Sequence, residues 1–125
     1  MTDEWQTATA RGDLVAIEAL IARGIDINAR DAHGQTALMN AARDGQPEVV
    51  QLLVAHGADL NHRAKFNLTA LMLAVVRGHP DIVRTLVSAG ADLTVRGTGA
   101  PGFHEMTALD LARARGDTAL VSLLG

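Results

Sequence analysis

The sequence predicts an all-α protein, a solenoid of stacked helix–turn–helix units joined by turn-forming segments. Thr36-Ala37-Leu38-Met39 returns 33 residues later as Thr69-Ala70-Leu71-Met72. Gly57-Ala58-Asp59-Leu60 returns at the same interval as Gly90-Ala91-Asp92-Leu93, and Gly24-Ile25-Asp26-Ile27 precedes it by the same step. A fixed period of this size is the signature of a repeat architecture. It divides a single domain into four units: residues 1–30, 31–63, 64–96 and 97–125.

Composition fits closely packed small helices. Hydrophobic residues make up 48% of 125 residues, yet the only aromatic ones are Trp5, Phe66 and Phe103. The interior must therefore be built from Ala, Leu, Val and Ile.

Bulk charge and residue usage exclude several function classes. The net charge of −3 gives no overall attraction to nucleic acid or to an anionic membrane. The absence of cysteine excludes disulfides and thiol catalysis. The N-terminus is acidic and polar, and no apolar run is long enough to span a bilayer. We expect a cytoplasmic protein, and the excess of Arg over the single Lys65 indicates a GC-rich bacterial source.

The first unit, residues 1–30, is expected to cap the N-terminal end of the stack. Thr2 or Asp3 can cap a helix over residues 4–10, since their side chains accept hydrogen bonds from free backbone N–H groups. Asp13 begins a second helix that Gly24 stops. The apolar residues of that second helix recur at helical spacing: Leu14, Ile17, Leu20 and Ile21.

The second unit, residues 31–63, is a complete copy. Thr36 caps the first helix, Gly45 makes the turn between helices, and Gly57 ends the second helix. Pro47 lies in the first helical turn, where its missing N–H costs little. The residues expected to be buried are Leu38, Ala41, Ala42, Val49, Val50, Leu52 and Leu53.

The third unit, residues 64–96, repeats this scheme with two departures in its turn. Asn67 replaces Gly34, and Asn is the best substitute for glycine at positive φ. Phe66 and Leu68 place apolar side chains where polar ones are expected. The matching positions are Thr69, Leu71, Ala74, Gly78, Pro80, Ile82, Val83, Leu86 and Gly90.

The fourth unit, residues 97–125, is expected to cap the C-terminal end. Thr107 follows Thr69 by 38 residues, so five extra residues lie within the segment 97–106. Insertions in repeat proteins fall in loops, often on the binding face. The helical pattern is completed by Leu111, Ala112, Gly116, Leu120, Val121, Leu123 and Leu124.

The phrases DAHGQTALMNAARDGQPEVVQLLVAHGADLN and TALMLAVVRGHPDIVRTLVSAGADL resemble ankyrin repeats. The resemblance covers nearly the whole chain. It implies an L-shaped solenoid with projecting β-turn fingers, and protein–protein binding through the finger tips and the inner helices. It offers no catalytic residues to carry over. Two family positions differ: the Pro of the T-P-L-H phrase is Ala37, Ala70 and Ala108 here, and its His is Met39, Met72 and Asp110. The hydrogen-bond network of that His is therefore expected to be reduced.

No motif indicates catalysis, a cofactor or a metal. Residues 97–102 match G-x-G-x-x-G, but a dinucleotide site needs a preceding buried strand, so we interpret the match as a lengthened finger. The five histidines lack metal-ligand spacing. His79 is interpreted as structural, and Trp5 as a core anchor.

Arginines recur with the repeat. One set precedes each finger: Arg30, Arg63 and Arg96. A second set closes the first helices: Arg11, Arg77 and Arg115, with Arg43 one place earlier. They form either a basic stripe toward a partner or local pairs, such as Arg30 with Asp31 and Arg43 with Asp44.

Apolar residues in exposed turns are the sharper signal of an interaction site. They are Phe66, Leu68, Val76, Phe103 and Met106. The alternative is that the long fourth finger folds back, so that Phe103 covers Phe66.

The sequence thus predicts a non-enzymatic scaffold that binds a partner protein through its fingers and concave face. The candidate partner-binding residues are His33, Gln35, Arg43, Lys65, Phe66, Leu68, Val76, Arg77, Phe103, His104, Met106 and Arg115. The alternative is a structural or inhibitory subunit, monomeric or weakly homodimeric through apolar finger residues. Nucleic-acid binding is disfavoured because the arginine stripe lacks stacking aromatics.

Overall fold

The computed structural model describes residues 1–99 and 104–125, and these residues form eight α-helices in four consecutive pairs. The described residues contain no strand, only an isolated bridge between Gly97 and His104, so the predicted all-α repeat fold is confirmed. The inner helices are α1 (Asp3–Arg11), α3 (Ala37–Asp44), α5 (Ala70–Arg77) and α7 (Ala108–Arg115). The outer helices are α2 (Leu14–Ala22), α4 (Pro47–Ala55), α6 (Pro80–Ser88) and α8 (Thr118–Leu124).

A threonine hydroxyl caps every inner helix. Thr36 and Thr69 each accept a hydrogen bond at 3.3 Å from the backbone N–H three residues on. Thr2 does the same for α1, as one of the two predicted caps. Thr107 adds a reciprocal bond from its own N–H to Asp110, which completes a capping box. Glycines in the left-handed conformation end these helices: Gly12, Gly45, Gly78 and Gly116.

The outer helices begin with either a proline or a capping aspartate, and the sequence predicted part of this pattern. Pro47 and Pro80 lie at the first helical position, while Asp13 and Asp117 cap with their carboxylates. Leu14, the first residue of α2, is 39% exposed. It corresponds to Pro47 and Pro80, the first residues of α4 and α6.

The core runs through the whole stack, and substantial helix contacts lie within a pair or between adjacent pairs. Small side chains occupy equivalent buried positions on the inner helices: Ala37, Ala41, Ala70, Ala74, Ala108 and Ala112. Larger ones fill the space between the layers. Trp5 is 1% exposed, which confirms it as a core anchor, although its indole N–H has no hydrogen-bond partner among the described residues.

A side chain from each later unit bonds to the inner helix before it. Gln46 Nε2 donates to the Ala10 carbonyl at 3.2 Å, and Arg115 Nη1 donates to the Val76 carbonyl at 2.8 Å. His79 Nε2 lies 3.1 Å from the Arg43 carbonyl, as its structural interpretation requires. These bonds satisfy last-turn carbonyls that a helix leaves unpaired.

The glycines at these junctions leave room for the incoming side chains. A Cβ on Gly45 would lie 2.7 Å from Cε1 of His79, and one on Gly78 would lie 2.6 Å from Nη2 of Arg115. A larger residue would displace these side chains, and both turns have positive φ, so glycine is favoured at both.

Asparagines link the segments that lead into successive fingers. Asn28 Oδ1 accepts from the Asp59 N–H at 2.8 Å, and Asn61 Oδ1 accepts from the Asp92 N–H at 2.8 Å. In the third copy Thr94 takes this position, and its hydroxyl donates to Asp92 within its own turn at 2.6 Å.

The end face of the first pair is charged. Glu4 stands where Ala37, Ala70 and Ala108 are buried, but it is exposed and its Oε2 lies 3.3 Å from Nη1 of Arg23. Burying such a pair under another helix pair would be costly. The role of the first and fourth units as caps stays a prediction.

None of the helices in the described part of the chain is both long and apolar enough to cross a membrane. The cytoplasmic location expected from the sequence stays a prediction.

Candidate partner-binding surface

Finger two, residues 31–35, is organised by one carboxylate. Asp31 accepts hydrogen bonds from the backbone N–H groups of His33 at 2.8 Å and Gln35 at 3.0 Å, and from the Asn40 amide at 3.1 Å. Burial by itself raises the pKa of Asp31, but these bonds outweigh it and hold the pKa below its ordinary value. The carboxylate thus stabilises the backbone of its own finger.

Finger three, residues 64–68, lacks that carboxylate because Ala64 replaces Asp31. It forms a short 3-10 turn, Lys65–Asn67, in which Asn67 has φ 61° and Phe66 has φ 62°. The prediction for Asn67 is confirmed. The left-handed Phe66 was not anticipated, and this conformation costs an aromatic residue roughly 1–2 kcal/mol.

The neighbouring finger holds finger three in this shape. Thr98 N–H donates to the Phe66 carbonyl at 2.8 Å, and Asn67 Nδ2 donates to the Arg96 carbonyl at 2.9 Å. A Cβ on Gly99 would lie 3.6 Å from Cδ1 of Phe66, so this part of finger four lies against the ring. Phe66 is nevertheless 38% exposed.

A cleft of about 480 Å³ opens between fingers two and three. Within it the Lys65 ammonium lies 5.0 Å from the centroid of the Phe66 ring, a cation–π geometry. The structure brings together five of the predicted binding residues here, together with Ala32, which sequence reasoning missed: His33, Gln35, Lys65, Phe66 and Leu68.

Arg43 joins this surface through Gln35, whose Oε1 accepts from Nη1 at 2.9 Å. Its Nε also donates to Asp44 at 2.9 Å, the local pair that the sequence allowed. The hydrogen bond to Asp44 raises the pKa of Arg43, and the same bond lowers the pKa of Asp44. Arg43 is therefore largely neutralised by its neighbour.

Local contacts also engage other arginines of the predicted stripe. Arg115 donates to Val76 at the C-terminal end of α5, about 12 Å along that helix from finger three. Arg96 donates to the Glu105 carbonyl and lies 3.9 Å from an Asp110 carboxylate oxygen. Arg77 is exposed. The other expected pair, Arg30 with Asp31, is absent from the described residues.

Finger four, residues 97–106, is described on both sides of its tip. Gly97 N–H donates to the Met106 carbonyl at 3.0 Å, and Glu105 N–H donates to the Gly97 carbonyl at 2.9 Å. His104 is exposed, while Met106 is half-buried against the core. Phe103 lies outside the described residues, so its predicted contact with Phe66 stays a prediction.

The glycine-rich match at residues 97–102 lies partly outside the described residues. The preceding residues 91–96 form no strand, so the βαβ context of a dinucleotide site is missing there. In the part of the chain that the structure describes, no three His, Cys, Asp or Glu residues are grouped to hold a metal ion.

Sequence reasoning missed the asparagine links between fingers, although their signal was present. Asn28 and Asn61 recur at the 33-residue interval, each two residues after an Asp. Aspartate accepts from the N–H two residues on, which frees the Asn side chain to reach the next unit.

Stacked helix pairs with projecting fingers define a helical repeat protein. The family model for ankyrin repeats, in three copies, matches residues 5–97, well over half of the chain. The chain belongs to the ankyrin repeat family, whose members are generally protein–protein interaction modules and generally non-enzymatic. A comparison with curated proteins found no match.

Proposed function

We propose that this protein is a non-enzymatic module that binds a partner protein through fingers two to four and the adjoining inner helices. The observation that supports this most is the exposed Phe66, whose backbone conformation is unfavourable for its residue type. Strain of this kind persists where the surrounding structure enforces it, and it clusters at binding sites. The cleft beside it gives a partner a concave apolar contact.

The contacts sort the predicted residues by role. Those that line the cleft form the centre of the proposed surface: His33, Gln35, Lys65, Phe66 and Leu68. The exposed Arg77, at the C-terminal end of α5, and the exposed His104, in finger four, extend it. Arg43, Val76, Met106 and Arg115 hold the fingers and helices in place, and they contribute to binding through shape.

Affinity capture from the source cell tests the proposal. The double variant Phe66→Ser, Leu68→Ser is expected to recover at least tenfold less partner than the wild type. Val15→Ser is the matched control, since Val15 is 80% exposed on α2, away from the fingers. Circular dichroism establishes that both variants are folded. Equal recovery by the double variant and the wild type would sink the site.

The competing arrangement is a weak homodimer through the same apolar finger residues. Sedimentation equilibrium over a range of concentrations separates the two. A dimer that dissociates in the double variant but not in Val15→Ser would make the partner a second copy of this chain. A monomer at all concentrations removes that arrangement.

A further inference from the structure

We propose that the cleft between fingers two and three recognises an extended peptide segment that carries an apolar side chain next to a carboxylate. This inference rests on the proposed function and specifies the chemistry of the partner. The apolar side chain would contact Phe66 and Leu68, and the carboxylate would pair with Lys65.

The size and lining of the cleft fit a short stretch of peptide. A volume of about 480 Å³ lies in the range of ligand sites and exceeds the volume of one side chain. Phe66 and Leu68 supply apolar wall, while the His33 ring and the Gln35 amide supply polar groups at the edge.

The charges around the cleft select the sign of the partner. Arg43 is paired with Asp44, and both Asp31 oxygens accept hydrogen bonds from residues of its own unit. Lys65 is exposed and makes no ion pair with any described residue. A carboxylate near Lys65 gains an attractive contact, whereas a basic group there is repelled.

The cleft is ordered before any partner arrives. Finger two is held by the Asp31 carboxylate, and finger three is held by the bonds from Thr98 and Asn67. His62 adds a contact between units, with its Nε2 3.1 Å from the Gly34 carbonyl. A preformed site loses little conformational entropy on binding.

A second and larger cleft, of about 550 Å³, lies at the end face of the first unit, but its lining does not indicate a partner of one charge. Acidic and basic residues alternate around it: Asp3, Glu4, Arg11, Asp13 and Arg23. Glu4 and Arg23 already pair across it, so its charges select no sign of partner.

Selection from a random heptapeptide library displayed on phage tests the proposal directly. The wild-type protein should enrich peptides in which an aliphatic or aromatic residue adjoins Asp or Glu. For the strongest of these peptides, Phe66→Ser should weaken binding at least tenfold. Lys65→Ala should weaken it about 1.5- to fivefold at low salt, the range for an exposed pair.

Charge reversal gives the sharpest readout. Lys65→Glu should enrich Lys or Arg in place of the acidic residue, while Arg84→Ala, on the outer helix α6, should enrich the wild-type motif. Circular dichroism and thermal melting establish that each variant is folded. The proposal is overturned if no peptide is enriched, if the motif lacks an acid, or if Lys65→Glu selects the same peptides.

The library and the affinity capture fail in distinguishable ways. In one outcome, substitution of Lys65 or Phe66 does not change peptide binding, but the Phe66, Leu68 double variant still loses the partner. That outcome rejects the apolar and acidic peptide as the ligand and leaves the proposed function standing. Partner recovery that survives the double variant would remove both.

Discussion

Phe66 adopts a backbone conformation that is unfavourable for its residue type. Both it and Asn67 are left-handed, whereas finger two has a left-handed glycine, Gly34, in this part of the turn. Asparagine tolerates this region and phenylalanine does not. The turn therefore retains a side chain that works against its backbone, which is the pattern expected where the side chain serves binding.

The backbone cost at this position can be isolated by comparing two small residues. We expect Phe66→Gly to be more stable than Phe66→Ala by about 1 kcal/mol, because only alanine meets a steric penalty at φ 62°. Urea denaturation of the two variants measures the difference.

The adjacent Lys65 provides the control, since its φ is not positive. There the order should reverse, with Lys65→Gly less stable than Lys65→Ala. If Phe66→Ala is also more stable than Phe66→Gly, the conclusion that the backbone is strained at position 66 is wrong.

At the scale of elements, the fingers are linked to one another independently of the helices. The Asn28 and Asn61 side chains cross from one unit to the next, and both bonds are 2.8 Å long. Each satisfies a backbone N–H of the next unit, so each ties together the segments that lead into two successive fingers.

Asn61→Ala is expected to lower the free energy of unfolding by about 1 kcal/mol, the net worth of a typical hydrogen bond. Chemical denaturation measures the loss. Thr94→Ala is the matched control, because Thr94 holds the equivalent position and bonds only within its own exposed turn. Equal losses in the two variants would show that the bond between units stabilises the protein no more than a bond within one exposed turn.

At the scale of the whole molecule, stability is distributed along the stack. Each pair contacts chiefly its neighbours, and the first pair packs against the second less extensively than the middle pairs pack together. Its outer face is charged and open at Glu4 and Arg23. A nearest-neighbour stack opens first where a unit has one weak interface.

The first unit should therefore unfold before the rest. Trp5 is the only tryptophan, so its fluorescence reports on this unit alone, whereas far-ultraviolet circular dichroism reports on all helices. We expect the fluorescence midpoint in urea to precede the dichroism midpoint. Coincident transitions would instead indicate one cooperative unit.

Much of the fold was predictable because its signals act over a few residues. A threonine hydroxyl caps the helix that starts beside it, a glycine permits positive φ at its own position, and a proline fixes the first helical turn. The 33-residue period repeats these signals, which is why the inner helices and their caps were confirmed. Leu52, which was expected to be buried, is only half-buried, because helical spacing alone does not say how completely a neighbouring unit covers each position.

The binding surface was predictable only as a set of candidates. Phe66 and Leu68 were recognisable as apolar residues in turns, but the cleft exists because stacking brings His33 beside residues about 33 positions later. The contacts of the arginine side chains were harder to predict. A long side chain can reach several acceptors, and the packing of the units decides which of them it meets. Arg43 donates to Gln35 and Asp44, and Arg115 donates to a helix carbonyl.

The sequence by itself determined the repeat, the helix boundaries, the turns and the residues available for recognition, because these follow from local backbone chemistry and a fixed period. Tertiary structure alone decided which fingers meet, which charges are neutralised and that Lys65 faces the cleft without an ion pair among the described residues. Those outcomes depend on distances between units, and distances between units are set only when the helices pack.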